Sequence, residues 1–134
     1  MTIVGLPDAA VQESRERVQT AIRNAGLDFP RKRVVVNLAP ASVRKEGPAY
    51  DLPITLGVIV LSGYLPHQAL ENTLVVGELS LDGLVRHTRG VLPIAAAART
   101  LGYQRIVVPE ADAFPSNGRR RQICDCRFPP NKQE

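Results

Sequence analysis

The chain has no tryptophan, three tyrosines, three phenylalanines and only two cysteines in 134 residues. It also lacks any run of the ~18 to 20 apolar residues that a membrane span requires. The most apolar stretch, Leu52 to Leu61, is helix-length and carries Pro53 and Gly57. The start, MTIVGLPDAAVQESRERV, has neither the basic opening nor the apolar core of a signal peptide. Two cysteines without secretory signs imply a reducing compartment, so the expected location is the cytoplasm, without a membrane. A phosphate-cradling loop ending in Gly-Lys-Ser/Thr is missing, and with it any sign of an ATP site. The histidines are His67 and His87 alone. Both read as surface residues, leaving Ser42, Ser62 and Ser80 without an evident base.

The net charge of +4 is uneven. Through Ala113 there are 12 Lys+Arg against 11 Asp+Glu, while the last 21 residues hold 5 against 2. The basic surplus therefore belongs mainly to the tail, not to a stripe on a folded face. From Phe114 the sequence loses periodicity, carries three consecutive arginines and ends in a proline-bearing stretch, so residues 114–134 are expected to be a disordered basic tail. Cys124 and Cys126 within it are too few for a closed zinc site, which needs four ligands. No metal or cofactor site is expected in this chain.

What is present is punctuated clearly. Asp8 is placed to cap a helix whose apolar face is Val11, Val18 and Ile22, ended by Gly26. Val34 to Val36 is a β-branched strand. Asp51 is placed to cap a second helix, Leu52 to Leu61, apolar nearly all round and so expected at the centre, with Ser62-Gly63 closing it. Val75 to Thr88 reads as a β-hairpin about Asp82-Gly83, expected as a type I′ turn. An alanine-rich helix from Val91 to Leu101 follows, and Arg105 to Val108 is a last strand. The order is strand, helix, strand, helix, hairpin, helix, strand. This is an α+β fold, one domain over residues 1–113, with its strands in one mixed sheet and helices packed on it.

Three segments in order, IVGLPDAAVQESRERV, VNLAPASVRKEGPAYDLPITLGV and VGELSLDGLVRHTRGVLPIAAAAR, resemble the N-terminal domain of magnesium-chelatase-like AAA+ ATPases of the ComM/YifB type. The resemblance runs from about Ile3 to Asp112. It implies a Lon-protease-like fold, also seen in a small-subunit ribosomal protein and in RadA/Sms. It also implies an ATPase module elsewhere in the full-length family, binding ATP and magnesium, and a hexameric DNA motor acting in branch migration during natural transformation. Family members have some twenty residues ahead of the first motif, supplying opening strands, and continue beyond the last. A truncated product with an out-of-frame tail is therefore expected. Its open sheet edge implies marginal stability or self-association.

The Lon-like fold raises the prospect of a Ser-Lys peptidase. By that resemblance the nucleophile position falls on Ala49 of Gly-Pro-Ala-Tyr-Asp, and the base position on Leu92 or its neighbours. No lysine lies between Val91 and Gly102, so peptidase activity is not expected. The remaining candidates are basic. Arg44 and Lys45, beside Glu46 in the loop before the second helix, would meet a phosphate or a neighbouring subunit; the alternative is local pairing with Glu46 on a solvated loop. Arg31, Lys32 and Arg33 form a second cluster, and Arg86 and Arg89 flank the hairpin's exit. No aromatic residues interleave with these charges, so phosphate contact is favoured over base stacking. The expected function is that of a non-catalytic accessory domain of a ComM-like ATPase, serving oligomer assembly and DNA contact. The alternative is a stand-alone nucleic-acid-binding module of the same fold.

Overall fold

Helix α1 (Ala9–Asn24) is the element on which one half of the molecule is assembled. Its apolar face follows the expected spacing, with Val11, Val18, Ala21 and Ile22 all buried. Complete burial of each of the larger three contributes roughly 1.5–3 kcal/mol. Asp8 accepts the Val11 N–H at 2.8 Å and caps the helix as expected. The left-handed Gly26, with φ +74°, ends it as Leu27 N–H reaches back to the Ile22 carbonyl. The computed structural model describes residues 1–113 and 123–128.

Strand β1 (Thr2–Val4) pairs in parallel with β2 (Val35–Asn37), bringing Ile3 opposite Val36. A parallel pair needs a crossover, and α1 is that crossover. Gly5 follows β1 at φ +103°, where an added Cβ would lie 2.1 Å from the Leu38 carbonyl oxygen. No other residue fits there without displacing the chain. Ile3, Val11, Val18, Ile22, Val34, Ile54 and Val58 form the first core cluster.

Helix α2 (Asp51–Leu61) supplies Leu52, Ile54, Thr55 and Val58 to the interior. Its other side is open, with Leu61 68% exposed. The expectation of a helix buried all round therefore fails. A composition apolar on every side reports hydrophobicity, not how many neighbours arrive to cover it.

The second half is a mixed sheet with β6 at its centre. Strand β3 (Thr73–Val75) runs parallel to β6 (Arg105–Pro109), and β7 (Ile123–Arg127) runs antiparallel on its other side. Helix α3 (Val91–Thr100) packs on β6 through Val91, Ile94, Ala95 and Ala98. Val76, Val91, Ile106 and Val108 are the buried centre of this cluster. The expected single sheet is thus divided into three among the described residues: β1 with β2, β3 with β6 and β7, and the hairpin of β4 (Glu78–Leu79) and β5 (Val85–Arg86). β7 also corrects the expectation of a structureless tail for residues 123–128. Its Cys124 and Cys126 alternate with exposed Asp125 and turn toward the second cluster, an apolar face too short to register as periodicity. The three consecutive arginines of the tail lie outside the described residues.

The hairpin turn also differs from expectation. Gly83 N–H bonds the Ser80 carbonyl at 2.9 Å, and only Gly83, at φ +82°, is left-handed. This is a type I turn closed by a left-handed glycine, not the type I′ turn that needs two such residues. The Asp82 carboxylate favours it by accepting from Ser80 Oγ and, at 3.4 Å, from Leu84 N–H. The turn rests on α1, where a Cβ at position 83 would lie 2.7 Å from Ala21 Cα.

Candidate functional site

By the Lon-like resemblance the positions that matter for peptidase chemistry are Ala49 and Leu92, and of these Ala49 lies on the second core cluster. Ala49, in the short 3-10 turn Pro48–Tyr50, packs against the cluster that contains Val91. Leu92, the next residue along α3, is 65% exposed. The inward face of α3 is set by Val91, Ile94, Ala95 and Ala98, and Leu92 falls outside that stripe. A methyl group and an isobutyl group stand at the positions that the Lon-like resemblance assigns to a hydroxyl and an amine.

Around it the polar design is dense. Asp51 is not the cap its position suggested. It is the first residue of α2, wholly buried, and its carboxylate is a junction of three elements. Arg17 Nε donates to it at 2.6 Å and Nη2 at 3.1 Å, Ser14 Oγ donates as well, and the Leu79 N–H arrives from β4 at 3.1 Å. Arg17 has a side chain only 13% exposed. Asp51 holds its guanidinium above its ordinary pKa. A buried carboxylate with four donors satisfies the demand that buried charge be paired. The signal that betrays this network is Ser14, a polar residue in the middle of the Val11–Val18–Ile22 stripe.

The loop between β2 and α2 is fixed at two points. Asp8 accepts the Gly47 N–H at 3.0 Å in addition to capping α1. The Val11 and Gly47 N–H groups, with smaller help from Arg44, hold its carboxyl below the ordinary carboxylate range. Lys45 bridges to Pro7 in parallel, exchanging bonds with Leu6 and Asp8, and is 4% exposed. Its ammonium donates to the Pro40 carbonyl across the loop. The structure thus turns Lys45 inward, since its long aliphatic stem is buried while the head finds a carbonyl. Arg44 and Glu46 remain outside, 67% and 72% exposed, with a 3.5 Å ion pair between them.

The other candidates are distributed. Arg31, Lys32 and Arg33 are exposed ahead of β2 and line a concavity of about 590 Å³ with Asp28, Phe29 and Tyr64. They sit at the opposite end of β2 from the Arg44 loop, so the chain does not merge the two clusters at the strand. Arg86 lies 3.9 Å from Asp82 across the hairpin, and Arg89 is exposed beyond it. His87 is exposed and paired through Nδ1 with Asp112, whose second oxygen accepts the Thr88 N–H at 2.8 Å. His67 is exposed and lies 3.7 Å from Glu71. Cys126 has its thiol pushed up to about 12 by burial and by the neighbouring Cys124. Among the described residues no three metal-ligating side chains converge. No described helix is long and apolar enough to cross a membrane.

Known proteins place the chain. A family model described as the ChlI subunit of Mg-chelatase matches residues 1–112. An uncharacterized protein of Mycobacterium tuberculosis is 49% identical over 113 residues, 84% of this chain and 22% of that protein. The uncharacterized protein YifB of Escherichia coli is 41% identical over 110 residues, 82% of this chain and 22% of that one. Competence protein ComM of Haemophilus influenzae is 40% identical over 109 residues, 81% and 21% of the two chains. Lon protease 2 of Bacillus subtilis is more distant, 29% identical over 97 residues, 72% and 17%, in keeping with a Lon-like α+β domain. The chain spans about a fifth of the length of these YifB- and ComM-like relatives. It belongs to the Mg-chelatase ChlI-like family, on the side of that family shared with YifB and ComM.

Proposed function

We propose that this chain is a non-catalytic accessory domain of a ComM-like AAA+ ATPase, working by contact with DNA and with neighbouring subunits. The observation that carries the reading is the loop before α2. Asp8 and Lys45 fix it at two points, Gly47 and Lys45 itself, and that anchoring leaves Arg44 outward on a scaffold whose peptidase-like positions are Ala49 and Leu92. A fixed backbone with an exposed guanidinium suits phosphate, which arginine recognises with a rigid fork of donors. Arg31, Lys32 and Arg33 add a second, independent point of contact, and Arg86 and Arg89 a third. Lys45 contributes by shaping the loop, not by touching phosphate. In the full-length setting the same domain would pack beside an ATP- and magnesium-binding module in a hexamer, in the cytoplasm, on branched DNA.

Fluorescence anisotropy with a labelled duplex and a labelled four-way junction tests this. Arg44→Ala and the triple substitution Arg31→Ala, Lys32→Ala, Arg33→Ala should each weaken binding to both DNAs at low salt. Unchanged affinity in both variants would remove the DNA role and leave subunit contact alone. Turnover of casein or ATP by the purified chain would contradict the non-catalytic reading.

A further inference from the structure

The outer edge of β2 and the open side of α2 meet in a groove that nothing described in the chain fills. Its volume is about 370 Å³, and its walls are Val34, Val36 and Leu38 from the strand side and Pro53, Gly57 and Leu61 from α2. Apart from Gly57 these are all apolar side chains. Among the described residues β2 has a partner on one edge only, since its sheet contains β1 and β2 alone. The Val34 carbonyl accepts from Thr2 and the Leu38 N–H donates to Val4, both toward β1. Backbone groups alternate in direction along a strand, so the N–H and C=O of Val35 and Asn37 face away from β1, toward open space. Val35 itself is 53% exposed. An unpaired strand edge beside an apolar wall is the geometry that accepts an added strand.

The surroundings specify what kind of strand. Val34 and Leu61 line this groove and also the basic concavity of Arg31, Lys32 and Arg33, so the two are continuous. A segment lying in the groove reaches the three basic residues at the N-terminal end of β2. Gly57 lies mid-helix, and a Cβ built on it meets nothing within 4 Å, so the α2 wall is low where the segment would pass. We propose that this edge and groove bind an extended polypeptide segment with apolar residues at alternate positions and acidic residues at the end beside Arg31–Arg33. Main-chain bonds to Val35 and Asn37 would give affinity, the alternating apolar side chains would fill the groove, and the acidic end would set orientation.

The probes are two acetylated, amidated heptapeptides, Val-Thr-Val-Thr-Val-Glu-Glu and its reverse Glu-Glu-Val-Thr-Val-Thr-Val, with lysine-for-glutamate versions as controls. Binding to the whole chain is followed by amide chemical shifts and by calorimetry. One acidic peptide should bind at least tenfold more tightly than its lysine version, with shifts concentrated at Val35 and Asn37. Raising salt should narrow that gap. A Cβ at position 57 meets nothing within 4 Å and leucine favours the helix, so Gly57→Leu should fold normally, narrow the groove and lose at least tenfold in peptide affinity. Failure of both acidic peptides to bind at millimolar concentration would overturn the proposal. So would equal binding of the lysine versions, or binding unaffected by Gly57→Leu. Concentration-dependent dimerisation that Gly57→Leu abolishes would also overturn it, assigning the groove to a second copy of the chain.

Discussion

Replacing Asp51 with alanine should cost the domain more than any other single polar substitution. The side chain is wholly buried, and its removal strands the Arg17 guanidinium, the Ser14 hydroxyl and the Leu79 N–H in the space between α1, α2 and β4. Removing one partner of a buried ion pair costs about 3–5 kcal/mol, because the remaining charge is uncompensated. An unsatisfied buried N–H adds about 1–3 kcal/mol, though the terms overlap and do not sum. Arg17 is 13% exposed, so solvent offsets part of this and the middle of the range is expected. A loss of about 4 kcal/mol is a large share of the 5–15 kcal/mol by which small domains are stable. For a chain of this size it corresponds to a Tm lower by roughly 10–25 °C. Urea unfolding of wild type, Asp51→Ala, Arg17→Ala and the double variant measures it. The double variant should cost little more than either single one, giving a coupling energy of about 2 kcal/mol or more. A loss below about 1 kcal/mol for Asp51→Ala, or costs that simply add, would refute the view of Asp51 as the junction of three elements.

Three further outcomes follow from the same structure. Gly83→Ala forces a Cβ to 2.7 Å from Ala21 Cα at φ +82°, so both strain and a shifted hairpin should lower stability by about 1–3 kcal/mol in the same urea assay. Asp8 and Asp82 both have folded pKa values below the ordinary 3.8, through N–H donors and the Ser80 hydroxyl respectively. Their contribution is therefore fully present above that value and is lost as pH falls through the lower folded values. Thermal melts between pH 5 and pH 2 should show this loss, and Asp8→Asn should flatten part of it. Cys126, with its thiol pushed up to about 12, should react with iodoacetamide at pH 8 more slowly than free cysteine, as mass spectrometry of the labelled chain would show.

The helices were legible because their ends are chemical signals confined to a few residues. Asp8 and Gly26 bound α1, Ser62-Gly63 closes α2, and Gly102, at φ +86°, follows α3. What escaped depends on contacts between residues distant in sequence. Asp51 next to an apolar run has the look of a cap until α1 brings Arg17 and Ser14 to it from 34 and 37 residues away. The sheet's division turns on β3 choosing β6, 32 residues further along, over the neighbouring hairpin. β7 was hidden because its apolar face, Cys124 and Cys126, is too short to register as periodicity. Lys45 shows the same limit at the candidate site. Its neighbours Arg44 and Glu46 are exposed and paired with each other, as the local-pairing alternative expects, and only the bridge to Pro7 turns the residue between them inward. Ala49 and Leu92 carry neither hydroxyl nor amine, which the residues themselves state; that these are the peptidase positions comes from the Lon-like resemblance.

The central claim is that this domain acts by phosphate contact through separate basic points, and the salt dependence of DNA binding tests it most directly. With log affinity plotted against log salt, each phosphate contact contributes about 0.9 to the slope on duplex DNA. Arg44→Ala should reduce that slope by about 1 and the Arg31–Lys32–Arg33 triple substitution by about 2 to 3, additively when combined. A slope near zero for the wild-type chain, or one that none of these substitutions changes, would contradict the account.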